Sequence, residues 1–126
     1  MQQAQPAIVL LAHGSRDPLW RAPIEAVAAR ITTQQAGSPV VCAYLELCSP
    51  TLAEAVQQLV ARGAARITVV PMFLGMGKHA REDLPRLLDE LRVAHPDVQF
   101  HAQPAVGEDA RLVQLLAQIA TEGSTE

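Results

Sequence analysis

The clearest indication of the fold is the segment Ile8-Val9-Leu10-Leu11-Ala12-His13-Gly14-Ser15. It begins as a continuous apolar run and stops at a histidine followed by a glycine. A run without polar alternation is typical of a strand that is buried on both faces, as in a parallel sheet. Such sheets bind ligands outside the carboxyl ends of their strands. The stretch therefore predicts a central parallel strand with a functional residue at its end.

Three further apolar runs follow at intervals that leave room for helices between them. Residues 40–45, 67–70 and 98–102 predict strands, and apolar residues at helical spacing predict a helix after each strand. The alternation indicates a parallel sheet, because right-handed crossovers place helices on its two faces. We expect an α/β, flavodoxin-like three-layer sandwich with a four-stranded parallel sheet in the order 2-1-3-4.

Capping residues and prolines predict where the helices begin. The first helix is expected to begin between Pro18 and Pro23 or just before Pro23. The second is expected to begin either at Ser49-Pro50 or at the capping box that Thr51 forms with Glu54. Residues 71–79 hold two glycines and little periodicity, which indicates a loop. The third helix is therefore expected to begin at Asp83.

Length and composition suit one folded domain. The 126 residues are too few for two ordinary domains, so we expect a single domain over residues 1–126, with an ordered core at about 7–120 and a frayed polar tail from residue 121. The 49% hydrophobic and 18% charged residues exclude intrinsic disorder. The two cysteines form no CxxC pair and are too few for a disulfide scaffold.

Charge and hydropathy argue against several partners. Lys+Arg 10 against Asp+Glu 13 gives a net charge of −3, whereas a protein that binds the nucleic-acid backbone is normally basic. The apolar run of residues 7–12, which no other run exceeds, is far shorter than the roughly 20 residues that span a bilayer. Residues 1–6 lack the basic and apolar parts of a signal peptide. We expect a cytoplasmic protein that binds neither nucleic acid nor membrane.

Side chains suited to metal binding follow three strands that the predicted order makes neighbours. His13 ends the first strand, Glu46 ends the second, and His79 lies in the loop after the third. Two imidazoles and a carboxylate suit a divalent ion such as Co²⁺, Fe²⁺, Ni²⁺ or Zn²⁺. The alternatives are that His13 is a loop histidine hydrogen-bonded to backbone, that His79 is a surface residue before a helix, and that Glu46 is simply solvated. Convergence of the three at one sheet edge favours a metal site.

Basic residues cluster near both histidines. Lys78, the only lysine in the chain, adjoins His79, and Arg16 and Arg81 lie within a few residues of one histidine or the other. In an acidic protein this clustering indicates a polyanionic ligand whose carboxylates pair with the cations. Ser15 is grouped with these candidate substrate-binding residues. The alternative is that they are ordinary solvated side chains.

Three other motifs fail on inspection. Gly75-Met76-Gly77-Lys78-His79 is not a Walker A loop, which needs glycine at Met72 and serine or threonine at His79. A nucleophile elbow would need glycine in place of His13. A histidine phosphatase would carry an arginine immediately before the His-Gly pair that ends the first strand, and this chain has Ala12 there. A hydrolase with His13 as nucleophile is therefore the weakest enzyme hypothesis.

Several segments of the chain resemble one known family. Leu11-Ala12-His13-Gly14-Ser15-Arg16-Asp17-Pro18, Tyr44-Leu45-Glu46-Leu47-Cys48-Ser49-Pro50 and the region from Val70 to Pro85, with its Gly-x-His-x-x-x-Asp-Leu-Pro element, are similar to the CbiX family. These are the class II tetrapyrrole chelatases, the sirohydrochlorin cobaltochelatases and ferrochelatases. The resemblance covers nearly the whole chain. Cys48 departs from the small or acidic residue expected there, but this change touches no proposed ligand.

The resemblance implies a chelatase-like fold and a metal-insertion activity. His13 and His79 would be the metal-binding and catalytic histidines, with Glu46 as their acidic partner. The implied reaction inserts a divalent metal, Co²⁺ or alternatively Fe²⁺ or Ni²⁺, into sirohydrochlorin in cobalamin or siroheme biosynthesis. The metal is then a substrate, and no organic cofactor is expected. The nearby cations would orient the carboxylate-rich macrocycle.

The resemblance also bears on assembly. Larger chelatases of this class hold two α/β halves in one chain with the tetrapyrrole between them, whereas 126 residues supply one half. We therefore expect a homodimer, since C₂ pairing is the commonest closed symmetry. A non-catalytic metal or tetrapyrrole carrier that uses the same residues is the alternative function.

Overall fold

The computed structural model describes residues 6–123, in which four strands alternate with four α-helices. The strands are β1 Ala7–Ala12, β2 Val40–Tyr44, β3 Arg66–Pro71 and β4 Gln99–Ala102. The α-helices are α1 Ala22–Gln34, α2 Leu52–Ala61, α3 Lys78–Ala94 and α4 Ala110–Glu122. Short 3₁₀ helices, Pro18–Arg21 and Val106–Glu108, follow β1 and β4.

The four strands form one parallel sheet in the order β2-β1-β3-β4. β1 lies inside the sheet, with Leu10 opposite Cys42 on one side and Val70 on the other. The structure thus confirms the predicted parallel α/β fold and its strand order. The residues that follow β1, β2 and β3 all leave the sheet at one edge, which we call the carboxyl edge.

Helices cover both faces of the sheet. α2 and α3 pack on one face, where Leu59 is fully buried in a core that includes Val9 and Val69. On the opposite face α1 lies against β2, and the Cys42 thiol is 3.8 Å from the Ile24 carbonyl oxygen. Replacing Leu59 with alanine should cost about 2–5 kcal/mol of stability, as buried leucines do. This core fixes the strands whose ends build the site.

The predicted starts of α1 and α2 are confirmed. α1 begins at Ala22, directly before Pro23. In the capping box of α2, the Glu54 N–H donates to the Thr51 hydroxyl at 3.2 Å and the Thr51 N–H donates to the Glu54 carboxylate at 2.8 Å. Gly63, with φ +92°, follows the end of this helix. The capping box therefore marks the start of α2, and the glycine marks its end, as helix-capping patterns normally do.

The predicted start of α3 is wrong by about one and a half turns. The helix begins at Lys78 with Gly77 as its N-cap, and no side chain caps it. Asp83 therefore lies inside the helix rather than at its start, and Pro85 also lies inside. Because Gly77 contributes only its backbone, the sequence carries no capping signature at this position. His79 consequently sits in the first turn of a helix and not in a loop.

α4 leaves much of its apolar surface in solvent. Asp109 caps the helix by accepting a hydrogen bond from the Arg111 N–H at 2.8 Å. Four large apolar side chains of α4 are between 39% and 56% exposed, namely Val113, Leu115, Leu116 and Ile119. The helix continues to Glu122, beyond the predicted start of the frayed tail, whose last residues 124–126 lie outside the described ones. Within residues 6–123, no helix is long and apolar enough to cross a bilayer.

Candidate functional site

The structure brings His13 and Glu46 side by side at the carboxyl edge. The pairing of β1 with β2 continues past both strands, since the Leu45 N–H donates to the Ala12 carbonyl oxygen at 2.9 Å. One step further, the Glu46 N–H donates to the His13 carbonyl oxygen at 3.0 Å. Both side chains are exposed. The backbone pairing thus holds His13 and Glu46 at neighbouring positions, and both residues have exposed side chains.

Gly14 permits this close approach. Its φ is +111°, a conformation that residues with a side chain rarely adopt, and a Cβ at this position would lie 1.8 Å from the Glu46 carbonyl oxygen. The same Cβ would lie 3.3 Å from the Cβ of Tyr44. The turn after β1 therefore packs directly on the end of β2, and only glycine fits.

Phe73 supports the His13 ring from the β3 side. The two ring centroids are 4.4 Å apart with an interplanar angle of 39°, and Phe73 itself is buried. The Gly107 N–H donates to the Phe73 carbonyl oxygen at 2.9 Å, which anchors this segment. Stacking on a buried ring limits the rotation of the imidazole. The contact of Phe73 with His13 could not be predicted from the sequence, because a single aromatic residue in an aperiodic segment does not indicate its partner.

His79 lies in the first turn of α3, also at the carboxyl edge, and is exposed. Lys78 precedes it as the first residue of the helix. The first N–H groups of a helix lack partners inside the helix and, with the helix dipole, favour negative charge. This turn therefore presents a positive potential beside the histidine, which suits a ligand that carries carboxylates.

The three candidate metal ligands share the edge but do not form an assembled metal site. Within residues 6–123, no group of three or more His, Cys, Asp or Glu side chains is placed to hold a metal ion. His13 and Glu46 adjoin through their backbones, whereas His79 enters from α3. All three side chains are exposed, and the His13 ring lies against Phe73. Their roles as metal ligands and catalytic groups stay a prediction.

The candidate substrate-binding cations are exposed and have no ion pair among the described residues. Arg16, Lys78 and Arg81 are all at the surface near the carboxyl edge, and the ion pairs of residues 6–123 involve other arginines. Ser15 accepts a hydrogen bond from the Asp17 N–H at 3.0 Å, which orders the loop. Arg81 also lines a groove of about 340 Å³ along α3. These cations are available to pair with an anionic ligand.

Beneath the edge, Tyr44 is a buried neutral group. Burial, with a smaller contribution from the nearby Cys42 and Glu25, raises the pKa of its phenol to about 12. Burial likewise raises the pKa of the Cys42 thiol. The Trp20 ring lies 6.3 Å from the Tyr44 ring. Tyr44 therefore stays protonated at neutral pH and serves as packing under the turns that carry His13 and Glu46.

Comparison with solved structures first defines the class of fold. A cobalamin (vitamin B12) biosynthesis CbiX protein from Marinobacter aquaeolei superposes with a TM-score of 0.82 at 32% identity, over 94% of this chain and 95% of that one. The sirohydrochlorin chelatase SirB of Bacillus subtilis in complex with cobalt has the same fold, with a TM-score of 0.79 at 24% identity. That match covers 94% of this chain and 50% of the SirB chain. The sheet described above is therefore the chelatase fold.

The chain belongs to the CbiX family, whose family model matches residues 7–123. A protein of Methanopyrus kandleri named sirohydrochlorin cobaltochelatase is 39% identical over 82 residues, which cover 65% of this chain and 57% of that relative. A protein of the same name from Saccharolobus solfataricus is 31% identical over 121 residues, 91% of this chain and 93% of that relative. The chain thus spans under two thirds of the first relative and nearly all of the second.

Proposed function

We propose that this protein is a metal chelatase that inserts a divalent ion into sirohydrochlorin. Co²⁺ is the first candidate, with Fe²⁺ and Ni²⁺ as alternatives, and the metal is a substrate rather than a resident cofactor. The observation that carries the proposal is the pairing of His13 with Glu46 at the carboxyl edge. The relatives support the reaction, since the Saccharolobus protein named sirohydrochlorin cobaltochelatase matches along 93% of its length. No organic cofactor is needed for this chemistry.

The proposed mechanism follows from what insertion requires. Two pyrrole N–H protons must leave the macrocycle, and the metal must exchange its solvent ligands for four ring nitrogens. A neutral imidazole can accept a proton or donate a lone pair to the metal, so His13 and His79 can serve either step. Glu46 adjoins His13 and can share the metal or take up the proton. A positioned base contributes typically 10²–10⁴-fold to such a rate.

Cations at the edge would orient the substrate. Sirohydrochlorin carries many carboxylates around a flat ring, and charge-assisted hydrogen bonds to arginine and lysine are among the stronger polar contacts. Arg16, Lys78 and Arg81 are exposed and have no ion pair within the described residues, so binding would break no existing pair. Ser15 lies beside Arg16, and its hydroxyl can donate a hydrogen bond to a carboxylate. These residues position the ring and take no part in proton transfer.

We also propose that the protein acts as a homodimer in the cytoplasm. Residues 6–123 supply one sheet and therefore one wall of a macrocycle pocket. The apolar side chains of α4 are largely exposed, as they would be on a surface that a second copy covers. The solved SirB chain is about twice as long as the part that this chain matches. Sedimentation should show a dimer at micromolar concentration, and a fully active monomer would contradict this proposal.

One assay tests the activity. Absorbance of anaerobic sirohydrochlorin is followed with Co²⁺, with and without protein, and corrected for spontaneous insertion. The same assay with Fe²⁺ and Ni²⁺ ranks the metals, which affinity alone cannot do because it follows the Irving–Williams order. Acceleration over the spontaneous rate supports the chelatase. Tight binding of the macrocycle without acceleration would instead support the non-catalytic carrier, and hydrolysis of phosphate esters would support the hydrolase.

A further inference from the structure

Two exposed leucines flank His13 at the carboxyl edge. Leu47 is 52% exposed and directly follows Glu46, which pairs with His13 on the β2 side. Leu74 is 68% exposed and directly follows Phe73, whose ring lies against His13 on the β3 side. Both leucines thus directly follow residues that contact His13, one through its backbone and the other through its ring. We call Leu47 and Leu74 the leucine pair.

The backbone at Leu47 is held in a costly conformation. Its φ is +70°, and the Cys48 N–H donates to the Glu46 carbonyl oxygen at 2.9 Å across it, which closes a three-residue γ-turn. Glycine or asparagine would adopt this φ with less strain than leucine. An exposed leucine in such a turn gains little from burial in this chain. Strain of this kind is concentrated at functional sites.

Leu74 is fixed just as firmly. A Cβ on Gly107 would lie 1.7 Å from the Leu74 carbonyl oxygen, so the backbones of the two segments are in direct contact. The Gly107 N–H also donates to the Phe73 carbonyl oxygen. Both leucines are therefore presented by rigid backbone, on opposite sides of the histidine.

We propose that the leucine pair forms an apolar platform that receives one flat face of the tetrapyrrole over His13. This inference rests on the proposed function. The ligand chemistry is a conjugated macrocycle with two apolar faces and ionised carboxylates at its rim. The surroundings are complementary, because the cations Arg16 and Lys78 lie at the same edge without ion pairs among the described residues. The platform sets the height and tilt of the ring, and the cations fix its rotation.

Two single variants test the platform. Leu47→Gly removes the side chain in a backbone conformation that glycine prefers, so the variant should fold at least as well as the wild type. Leu74→Ala removes most of the other side chain. Each should raise KM for sirohydrochlorin on the order of tenfold, the loss expected when an apolar contact of this size is removed, and leave kcat nearly unchanged. Val93→Ala, at an 83% exposed position near the opposite end of α3, is the matched control and should change neither constant.

The outcomes separate the platform from the proposed function. Wild-type insertion with an unchanged KM in Leu47→Gly would overturn the platform and leave the chelatase in place. If the wild type inserts no metal, the proposed function fails, and titration of metal-free sirohydrochlorin then decides the platform alone. Weaker binding by Leu47→Gly would support it, and equal binding would overturn it. A change from dimer to monomer at unchanged affinity would assign the leucines to a protein interface and overturn the platform as well.

Discussion

Replacing Gly14 with alanine tests the geometry that joins His13 to Glu46. The added Cβ would lie 1.8 Å from the Glu46 carbonyl oxygen, whereas an ordinary contact needs at least about 3.4 Å, so one of the two backbones must move by more than an ångström. A side chain at φ +111° adds about 1–3 kcal/mol of strain. Loss of the hydrogen bond from the Glu46 N–H to the His13 carbonyl oxygen adds about 1 kcal/mol. We expect the free energy of unfolding to fall by about 2–4 kcal/mol.

The insertion rate of this variant should fall further than its stability alone explains. A displacement of about 1 Å between reacting groups can cost up to 10²-fold in rate. Urea unfolding and the initial rate of Co²⁺ insertion, both measured where the variant is folded, separate the two effects. Gly75→Ala is the control, because no atom lies within 4 Å of its added Cβ, and it should change stability by less than about 0.5 kcal/mol. A Gly14→Ala protein with wild-type stability and rate would refute this reasoning.

Three further predictions concern single groups. Tyr44 is the only tyrosine, so ultraviolet absorbance of the phenolate should report its ionisation near pH 12. Because the unfolded phenol ionises near 10, the free energy of unfolding should fall as the pH rises from about 10 to 12. Ionisation near pH 10 in the folded protein would contradict the burial of Tyr44. His79→Ala should change the melting temperature little, since the side chain is exposed, but it should lower the insertion rate about 10²–10⁴-fold. The exposed control His101→Ala should keep the wild-type insertion rate. A wild-type rate in His79→Ala would remove this histidine from the mechanism. Leu115→Glu on the exposed face of α4 should change the sedimentation coefficient from that of a dimer to that of a monomer, because an unpaired carboxylate is costly to bury. An unchanged dimer would exclude this face from the interface.

Much of the fold could be predicted because its signals are local. The uninterrupted apolar run of β1 indicates a strand buried on both faces, and the alternation of strands with helices then indicates a parallel sheet. The capping box at Thr51 marks the start of α2 for the same reason. The start of α3 was not predictable, because Gly77 caps the helix with its backbone alone and Pro85, which normally marks a first turn, lies inside it. The cap expected at Asp83, after the loop predicted for residues 71–79, is consequently wrong.

Only the part of the site that follows from the strand order could be predicted from the sequence. Adjacent parallel strands bring His13 and Glu46 together, and the sequence shows this once the order is known. The stacking of Phe73 on His13 is a contact between distant segments with no periodic pattern. The positive φ of Leu47 is equally hidden, because leucine does not favour that conformation. Features that depend on packing between loops therefore had to come from the structure.

A multiple-turnover measurement of Co²⁺ insertion distinguishes a chelatase from a carrier. Anaerobic sirohydrochlorin and Co²⁺ are supplied in large excess over the protein, and product is counted per protein chain after subtraction of the spontaneous reaction. A chelatase releases its product, so we expect a linear rate that continues far beyond one product per chain. A burst of at most one product per chain, followed by the spontaneous rate, would show that the protein is a carrier and not a chelatase.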